Sequence, residues 1–487
     1  MKKSFFVPIL LLFLVPVLTA QTSPDKPSQQ QRQPSPQAEQ QEKVPEHKIT
    51  PEETKELFQS VDEILQFAGK STLLPVKQPV KKAMVSREQV EKYIEEKFKN
   101  DIDRIRFERS ELVLKKFGFL PRTFDLHNFM IKLLGEQVEG YYDEKTKSIN
   151  LLDWVDIDMQ KPVMAHELTH ALQDQSFDLG KMMKKEEEIE KRGPADPNAL
   201  IKIDEESACR TAVLEGQAMI VLVDFILAPA GRTVQDSPNF VDMMQSSMNT
   251  KGDSPLFDNA PLLLREELVF PYSYGMKFIQ ELLMSGGKKL AFTGVLSHMP
   301  ETTREILEPK EYLAGRRVPV LLLPDMGFLK KDFEPFDAGA VGELDVDILL
   351  KQYADEETAK RLSPEWRGGA YYAAGRKSAK PANPNSTDHI GLIYVSRWSS
   401  DKVAQEFARI YASALPSRYS KLDHIQTSSA NPGREKYVSS DGPIFLEQRG
   451  DLLVVTESFD DATADRLIQA AEKQVQEGSK ATAALAK

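Results

Sequence analysis

Two histidines, His166 and His170, stand four apart in the run VMAHELTHALQDQ, Val163 to Gln175, and Glu167 directly follows the first. The chain holds only 7 histidines in 487 residues, so a pair at this spacing asks for a reason. Residues on a helix advance by about 100° each, which sets His166 and His170 on one face, about 40° apart, with Glu167 on the flank of the same arc. Two imidazoles one turn apart can hold a single Zn²⁺, and a carboxylate beside them can take a proton from a water activated there. The expected chemistry is metal-assisted hydrolysis, with His166 and His170 as ligands and Glu167 as general base.

Catalytic zinc normally takes three protein ligands and keeps one position open. The extended form, with Gly three and His six positions after the second histidine, is excluded because Gln173 and Ser176 occupy those places. The remaining common choice is a downstream Glu on a second helix. Glu215, in TAVLEGQAM and 45 positions beyond His170, is the best candidate. Ala208, Thr211, Ala212 and Ala218 lie within about 60° of it, so that face is expected to pack closely against the histidine helix. A lone carboxylate buried on such an apolar helix would be costly, and a shared metal would remove the cost. Glu205 and Glu206 are rival ligands near the start of the same helix, and Arg210 is a possible ion-pair partner for Glu215. Cys209, about 120° off the Glu215 face, is read as a small core residue. Asp174, one turn after His170, either orients that imidazole or faces water.

The elements that must position these groups follow from period and punctuation. Thr50-Pro-Glu-Glu53 is a helix start with a capping box, continued by Leu57, Val61, Ile64 and Leu65 at helical spacing. Ser86 to Gln89 is a second capping box, and a further helix is expected to end near Phe117 at Gly118. Leu126 to Gln137 reads as helix, and VEGYYDEKTKSINLL as strand, turn, strand, with the bend at Asp143 to Lys147. Pro162 is expected to open the histidine helix, and residues 204–228 to form a long apolar one. Beyond Gly315 the texture changes. VPVLLLPDM, GLIYVSRW and DLLVVTESF read as strands; SSDKVAQEFARIYASAL and DDATADRLIQAAEKQ read as helices; residues 377–388 read as a polar loop. Arg449-Gly-Asp451 is expected to be a hairpin turn, and Trp366, Arg367 and Gly368-Gly369 a turn and packing site.

The N-terminal MKKSFFVPILLLFLVPVLTAQ has a charged start, an apolar middle and a small-residue cleavage site, so residues 1–20 are expected to be a secretory signal. The apolar run is short of the ~20 residues a span needs, and Pro8 and Pro16 interrupt it; retention as an uncleaved anchor is the lesser alternative. Residues 21–48, rich in Gln, Pro and Ser, are expected to be a flexible linker. The expected products are a domain over 49–315 carrying the metal site and a smaller mixed α/β domain over 316–487. A net charge of −11 argues against nucleic acid as a partner. The basic run Lys181 to Lys185 is offset by Glu186 to Glu188 and reads as a solvated helix face. With Cys209 as the single cysteine, no internal disulfide can form.

HELTH followed by Glu215-Gly-x-Ala218 resembles the gluzincin clan of zinc metallopeptidases, and FPYSYG, with Pro271-Tyr272-x-x-Gly275, is similar to the segment that supplies the catalytic tyrosine in its aminopeptidase branch. The run from about Ser86 to Leu313 also resembles secreted bacterial proteins that carry HELTHALQDQ. The resemblance implies an α+β fold, mainly helical and zincin-like with a small β-sheet, holding Zn²⁺ through His166, His170 and Glu215. It implies that Tyr272 stabilises an oxyanion; Tyr274, His298 and a merely packing tyrosine are the alternatives. It also implies an edge strand ahead of the histidine helix along which an extended peptide could lie. The gap between His170 and Glu215 is longer than in the aminopeptidase branch, and no Gly-x-Met-Glu-Asn segment is present to grip a free amino terminus. The expected function is therefore an exported endopeptidase acting on a peptide or protein substrate. The competing reading is an exported binding protein that keeps zinc for stability alone.

Overall fold

The computed structural model describes residues 48–485 except 99–100, 138–139, 249–253, 380–382, 384 and 426–432. The signal and nearly all of the linker expected at the N-terminus lie outside the described residues, as does part of the 377–388 loop.

Thr50 caps the first helix as its sequence predicts: its side chain accepts from Glu53 N, and Glu53 answers at Thr50 N. The elements run α1 (Pro51–Thr72), β1 (Lys81–Val85), α2 (Arg87–Phe98), α3 (Asp101–Phe117), α4 (Leu126–Gln137), β2 (Tyr141–Asp143), β3 (Ser148–Leu152), α5 (Ile157–Phe177), α6 (Leu179–Arg192) and α7 (Pro197–Leu227). They continue through α8 (Asn239–Met248), α9 (Pro255–Asp258), α10 (Leu262–Lys288), α11 (Val295–Ser297), α12 (Thr303–Leu307) and α13 (Pro309–Leu313). The remainder is β4 (Phe333–Ala340), α14 (Glu343–Tyr353), α15 (Glu356–Leu362), β5 (Trp366–Arg376), β6 (Ile390–Trp398), α16 (Asp401–Arg418), β7 (Leu422–Ile425), β8 (Arg434–Ser439), β9 (Gly442–Arg449), β10 (Leu452–Glu457) and α17 (Asp461–Leu485). The fold is α+β: a mainly helical part with a three-stranded sheet, then a part built on seven strands.

The small sheet has the order β1-β3-β2, with β1 parallel and β2 antiparallel to β3. The larger sheet is antiparallel throughout, in the order β4-β5-β6-β10-β9-β8-β7. Side chains alternate across it as the period of a strand requires. Tyr371, Leu392, Tyr394 and Val455 belong to the main core, whereas Tyr372, Ile393, Val395 and Val454 face a second cluster with Leu467 and Ile468 of α17. The main core runs from α1 to β10 and crosses the boundary drawn at residue 315. Polar ties cross it too: Asp204 Oδ2 accepts from Ala340 N at 3.1 Å, and Lys116 Nζ donates to Ser458 Oγ at 2.8 Å.

Three readings of the sequence need correction. Pro162 lies inside α5 and does not open it; the helix starts five residues earlier because Asp156 caps it at Asp158 N. The Gln160 side chain then binds Leu152 N, Leu152 O and Val155 O, fastening the helix start to the end of β3. VPVLLLPDM is not a strand. Pro319 and Pro324 remove two amide donors, and both backbone groups of Leu323 are taken by the side chain of Asn198, at 2.9 and 3.0 Å. Gly368-Gly369 is not a turn but part of β5, where a bulge falls between Trp366 and Gly368. GLIYVSRW and DLLVVTESF do form β6 and β10, and Gly450 (φ 59°) turns the tight hairpin from Arg449 to Leu452.

Candidate metal centre

Helices α5 and α7 bring the expected ligands together. His166 Nε2 lies 3.0 Å from Glu215 Oε2, His170 Nε2 lies 3.3 Å from the same oxygen, and the two ring nitrogens are 3.1 Å apart. A tetrahedral Zn²⁺ with ligands at about 2.0–2.2 Å separates neighbouring donor atoms by roughly 3.3–3.5 Å, so this triangle is close to the size such an ion needs. All three side chains are buried. Two ring nitrogens and a carboxylate oxygen converging on one buried point is a donor set that calls for a cation, whether a proton or a metal. The donor atoms of His166, Glu167 and His170 also fall within 4.8 Å of one another, which makes Glu167 a second acidic neighbour of the histidine pair. Glu215 is the better ligand on distance, because Glu167 Oε2 is already engaged by Tyr142 N at 2.6 Å.

That engagement gives Glu167 a definite shape. One oxygen is fixed on the β2 amide, while Oε1 is buried without a hydrogen-bond partner among the described residues. Burial pushes the Glu167 carboxyl up to about 8 against the pull of His170, so with no metal beside it the group keeps its proton at neutral pH. A divalent cation among the three ligands would favour the carboxylate and bring that value down. At His170 burial opposes the charged ring, but the Glu215 carboxylate outweighs it and holds the pKa up at about 9. Glu215 is moved the other way: burial would raise it, yet His170 and His166 hold it down at about 2. Burial lowers His166 to about 4.

The supports differ from one histidine to the other. His170 Nδ1 lies 2.8 Å from Gln173 Oε1, whereas His166 Nδ1 is buried with no partner among the described residues. Asp174 does neither of the things its position suggested. It is buried, and it accepts from Tyr142 Oη at 2.8 Å, Lys147 Nζ at 2.5 Å and Leu179 N at 3.1 Å. Its effect is to hold the β2–β3 hairpin, and so the Tyr142 amide, against α5.

The rival ligands go elsewhere. Glu205 Oε2 accepts from Thr303 N at 2.6 Å and Thr303 Oγ1 at 3.0 Å, and the half-buried Glu206 pairs with Lys202 at 3.5 Å. Arg210 pairs with Glu186 rather than Glu215. Cys209 is buried in the main core, as expected. Tyr272, on α10, stacks beside His166 with ring centroids 6.4 Å apart and planes 29° apart. Tyr274 turns toward Phe270, at 5.7 Å. The His298 side chain is exposed, and its carbonyl accepts from Tyr312 Oη at 2.7 Å. Of these three residues, Tyr272 is the one whose ring lies beside the histidine pair among the described residues.

The small residues near Glu215 also meet a second helix, α10. A Cβ on Gly216 would sit 2.2 Å from the Gly275 carbonyl oxygen, and one on Gly275 would sit 2.2 Å from the Ala212 carbonyl oxygen. The Ala212 backbone therefore lies against α10, and Gly275 has a packing reason to be glycine. The segment Pro197–Ala230 is, among the described residues, the one stretch long and apolar enough to cross a membrane, and 67% of its apolar window is buried inside this fold.

The sequence also contained three groups whose part was not read from it: Tyr142, Gln173 and Gln217. Gln173 shares the His170 face of α5, three residues on, which is the signal that was available. No protein-family model matches the chain, and neither a curated protein nor a solved structure matches it.

Proposed function

We propose that the chain is a zinc-dependent peptidase of the gluzincin type, zincin-like in its helical part, exported and acting as an endopeptidase. The observation that carries this reading is the convergence of His166 Nε2, His170 Nε2 and Glu215 Oε2 within 3.3 Å beside a buried carboxylate oxygen with no partner among the described residues. His166, His170 and Glu215 hold the ion, which when bound supplies Lewis acidity to a water and to the scissile carbonyl. Glu167 Oε1 accepts a proton from the attacking water while the Tyr142 amide steadies Oε2, and Glu167 then passes the proton to the departing amine. The Tyr272 hydroxyl donates to the oxyanion that develops on the substrate carbonyl. Strand β2 lies at the edge of its sheet with the Tyr142 amide turned to Glu167, so an extended peptide alongside it would meet the general base.

The nearness of Glu167 to both histidines favours one other reading. As a fourth ligand it would close the site and leave a structural zinc in a binding protein. One substitution separates the two. Glu167→Gln is expected to bind one zinc per chain as tightly as wild type and to lose hydrolysis of a broad peptide library, while Glu215→Ala binds zinc far more weakly. Equal hydrolysis by wild type and Glu167→Gln would refute the peptidase. Metal affinity that falls in Glu167→Gln, with no turnover in wild type, would support the closed site.

A further inference from the structure

His170 is held by more than its immediate neighbour. Gln173 Nε2 donates to the Leu214 carbonyl at 3.0 Å and to Gln217 Oε1 at 2.9 Å, and Gln217 Nε2 donates to the Ala291 carbonyl at 2.7 Å. Both glutamines are fully buried. Leu214 lies on α7, and Ala291 lies in the π-helical segment Lys289–Gly294 that follows the break at Gly287 (φ 66°). The bonds therefore join α5, α7 and the π-helical segment in a single chain ending on the imidazole.

The direction of this chain is fixed at its far end. A carbonyl oxygen only accepts, so Ala291 requires the amide nitrogen of Gln217, which leaves Gln217 Oε1 to face Gln173. Leu214 and Gln217 Oε1 both require the amide nitrogen of Gln173, which turns Gln173 Oε1 to the imidazole. An amide oxygen cannot donate, so His170 must carry hydrogen on Nδ1. Flipping either amide would set two acceptors face to face in a buried site. We propose that Gln173 and Gln217 are positioning residues that lock His170 as an Nδ1–H imidazole, with Nε2 as its ligand atom, and that they transmit this from the π-helical segment. Gln217 acts through Gln173: together with the Leu214 carbonyl it fixes the amide that sets the tautomer of His170. His166, with no partner at Nδ1 among the described residues, has no such lock. Short π-helical insertions occur often at functional sites, and here one supplies the terminal acceptor. The inference rests on the proposed metal site, but its primary readout does not require a peptidase.

The test is nitrogen NMR on the full chain with ¹⁵N-labelled histidine, metal-free and zinc-loaded. In wild type the His170 Nδ1–H is expected to be observable and slow to exchange in both states, with Nε2 carrying the metal shift. Gln173→Leu is expected to lose the protected Nδ1–H and to weaken zinc binding by about 10- to 100-fold. Gln217→Leu is expected to lose the same signal with a smaller fall in affinity. Gln173→Glu keeps an acceptor for Nδ1–H, so its signal should survive where that of Gln173→Leu does not; a packing role would favour leucine over the charged side chain. Zinc coordinated through Nδ1 of His170, or a neutral metal-free ring that carries its hydrogen on Nε2 and none on Nδ1, would overturn the proposal, as would a Gln217→Leu variant with unchanged Nδ1–H protection and zinc affinity. The wild-type spectrum decides even where the variants fail to fold, and a chain that locks His170 but cleaves nothing would count against the peptidase alone.

Discussion

Substitution of Gly216 by alanine puts a methyl group where α7 and α10 touch backbone to backbone. The added Cβ would lie 2.2 Å from the Gly275 carbonyl oxygen, 2.3 Å from its carbon and 2.9 Å from Met276 N. Ordinary contact with an oxygen needs about 3.3 Å, so the helices must part by roughly 1 Å. All three atoms are main chain, and no side-chain rotation can relieve the clash. The cost should fall at the upper end of the range for overpacking, about 3 kcal/mol. Glu215 is the preceding residue, and the displacement moves its carboxylate relative to His166 and His170. A metal site tolerates only about 0.2 Å in its ligand distances, so zinc affinity should fall together with stability. Urea unfolding gives the first quantity and titration with a zinc chelator the second. A Gly216→Ala protein with wild-type unfolding midpoint and wild-type zinc affinity would show that the crossing does not hold the third ligand in place.

Two further expectations concern pH. With His170 held up at about 9 by Glu215 and Glu167 pushed up to about 8 by burial, zinc binding must displace both protons; affinity should rise by more than tenfold per pH unit below about 8 and by close to tenfold from there to about 9, and calorimetry in buffers of different ionisation enthalpy should count about two released protons near neutrality. At the joint between α16 and β10, Glu457 accepts from Arg418 Nη2 at 2.5 Å and from Tyr411 Oη at 3.0 Å. Burial works to raise its pKa, but Arg418 and Lys116 hold it below 4.5; its stabilising contribution is therefore complete above that value and lost as pH falls through the depressed one. Glu457→Gln, which leaves Arg418 buried without its carboxylate, should cost about 3–5 kcal/mol at pH 7, and the gap between wild type and variant should narrow in unfolding curves at pH 3.

The candidate ligands were legible because each is an anomaly against its own helix: scarce histidines at one-turn spacing on α5, and one carboxylate in the apolar run Ala212 to Val223. Their supports were not legible, because their partners are backbone atoms far away in sequence. Gln173 reads from the sequence only as a residue that is not glycine, and its part depends on Leu214 and Ala291 carbonyls. Tyr142 acts through its amide, which no side-chain pattern reveals. The same limit explains the strands. β6 and β10 announce themselves by alternation, whereas β1 is five residues, KKAMV, given meaning only by its parallel partner Ser148–Leu152. Residues 318–326 mislead in the opposite sense. Leu321 and Leu323 are buried while Leu322 is 44% exposed, which is strand-like alternation, but Asn198 occupies the bonds a neighbouring strand would have made.

The central claim is that one divalent ion sits among His166, His170 and Glu215 with a position left for solvent. X-ray absorption at the zinc edge on the loaded protein, with Glu215→Ala beside it, tests this most directly. Two imidazole nitrogens and one carboxylate at about 2.0–2.2 Å plus a light exchangeable ligand are expected, with the carboxylate scatterer lost in the variant. Failure to take up zinc, or an unchanged spectrum in Glu215→Ala, would contradict it.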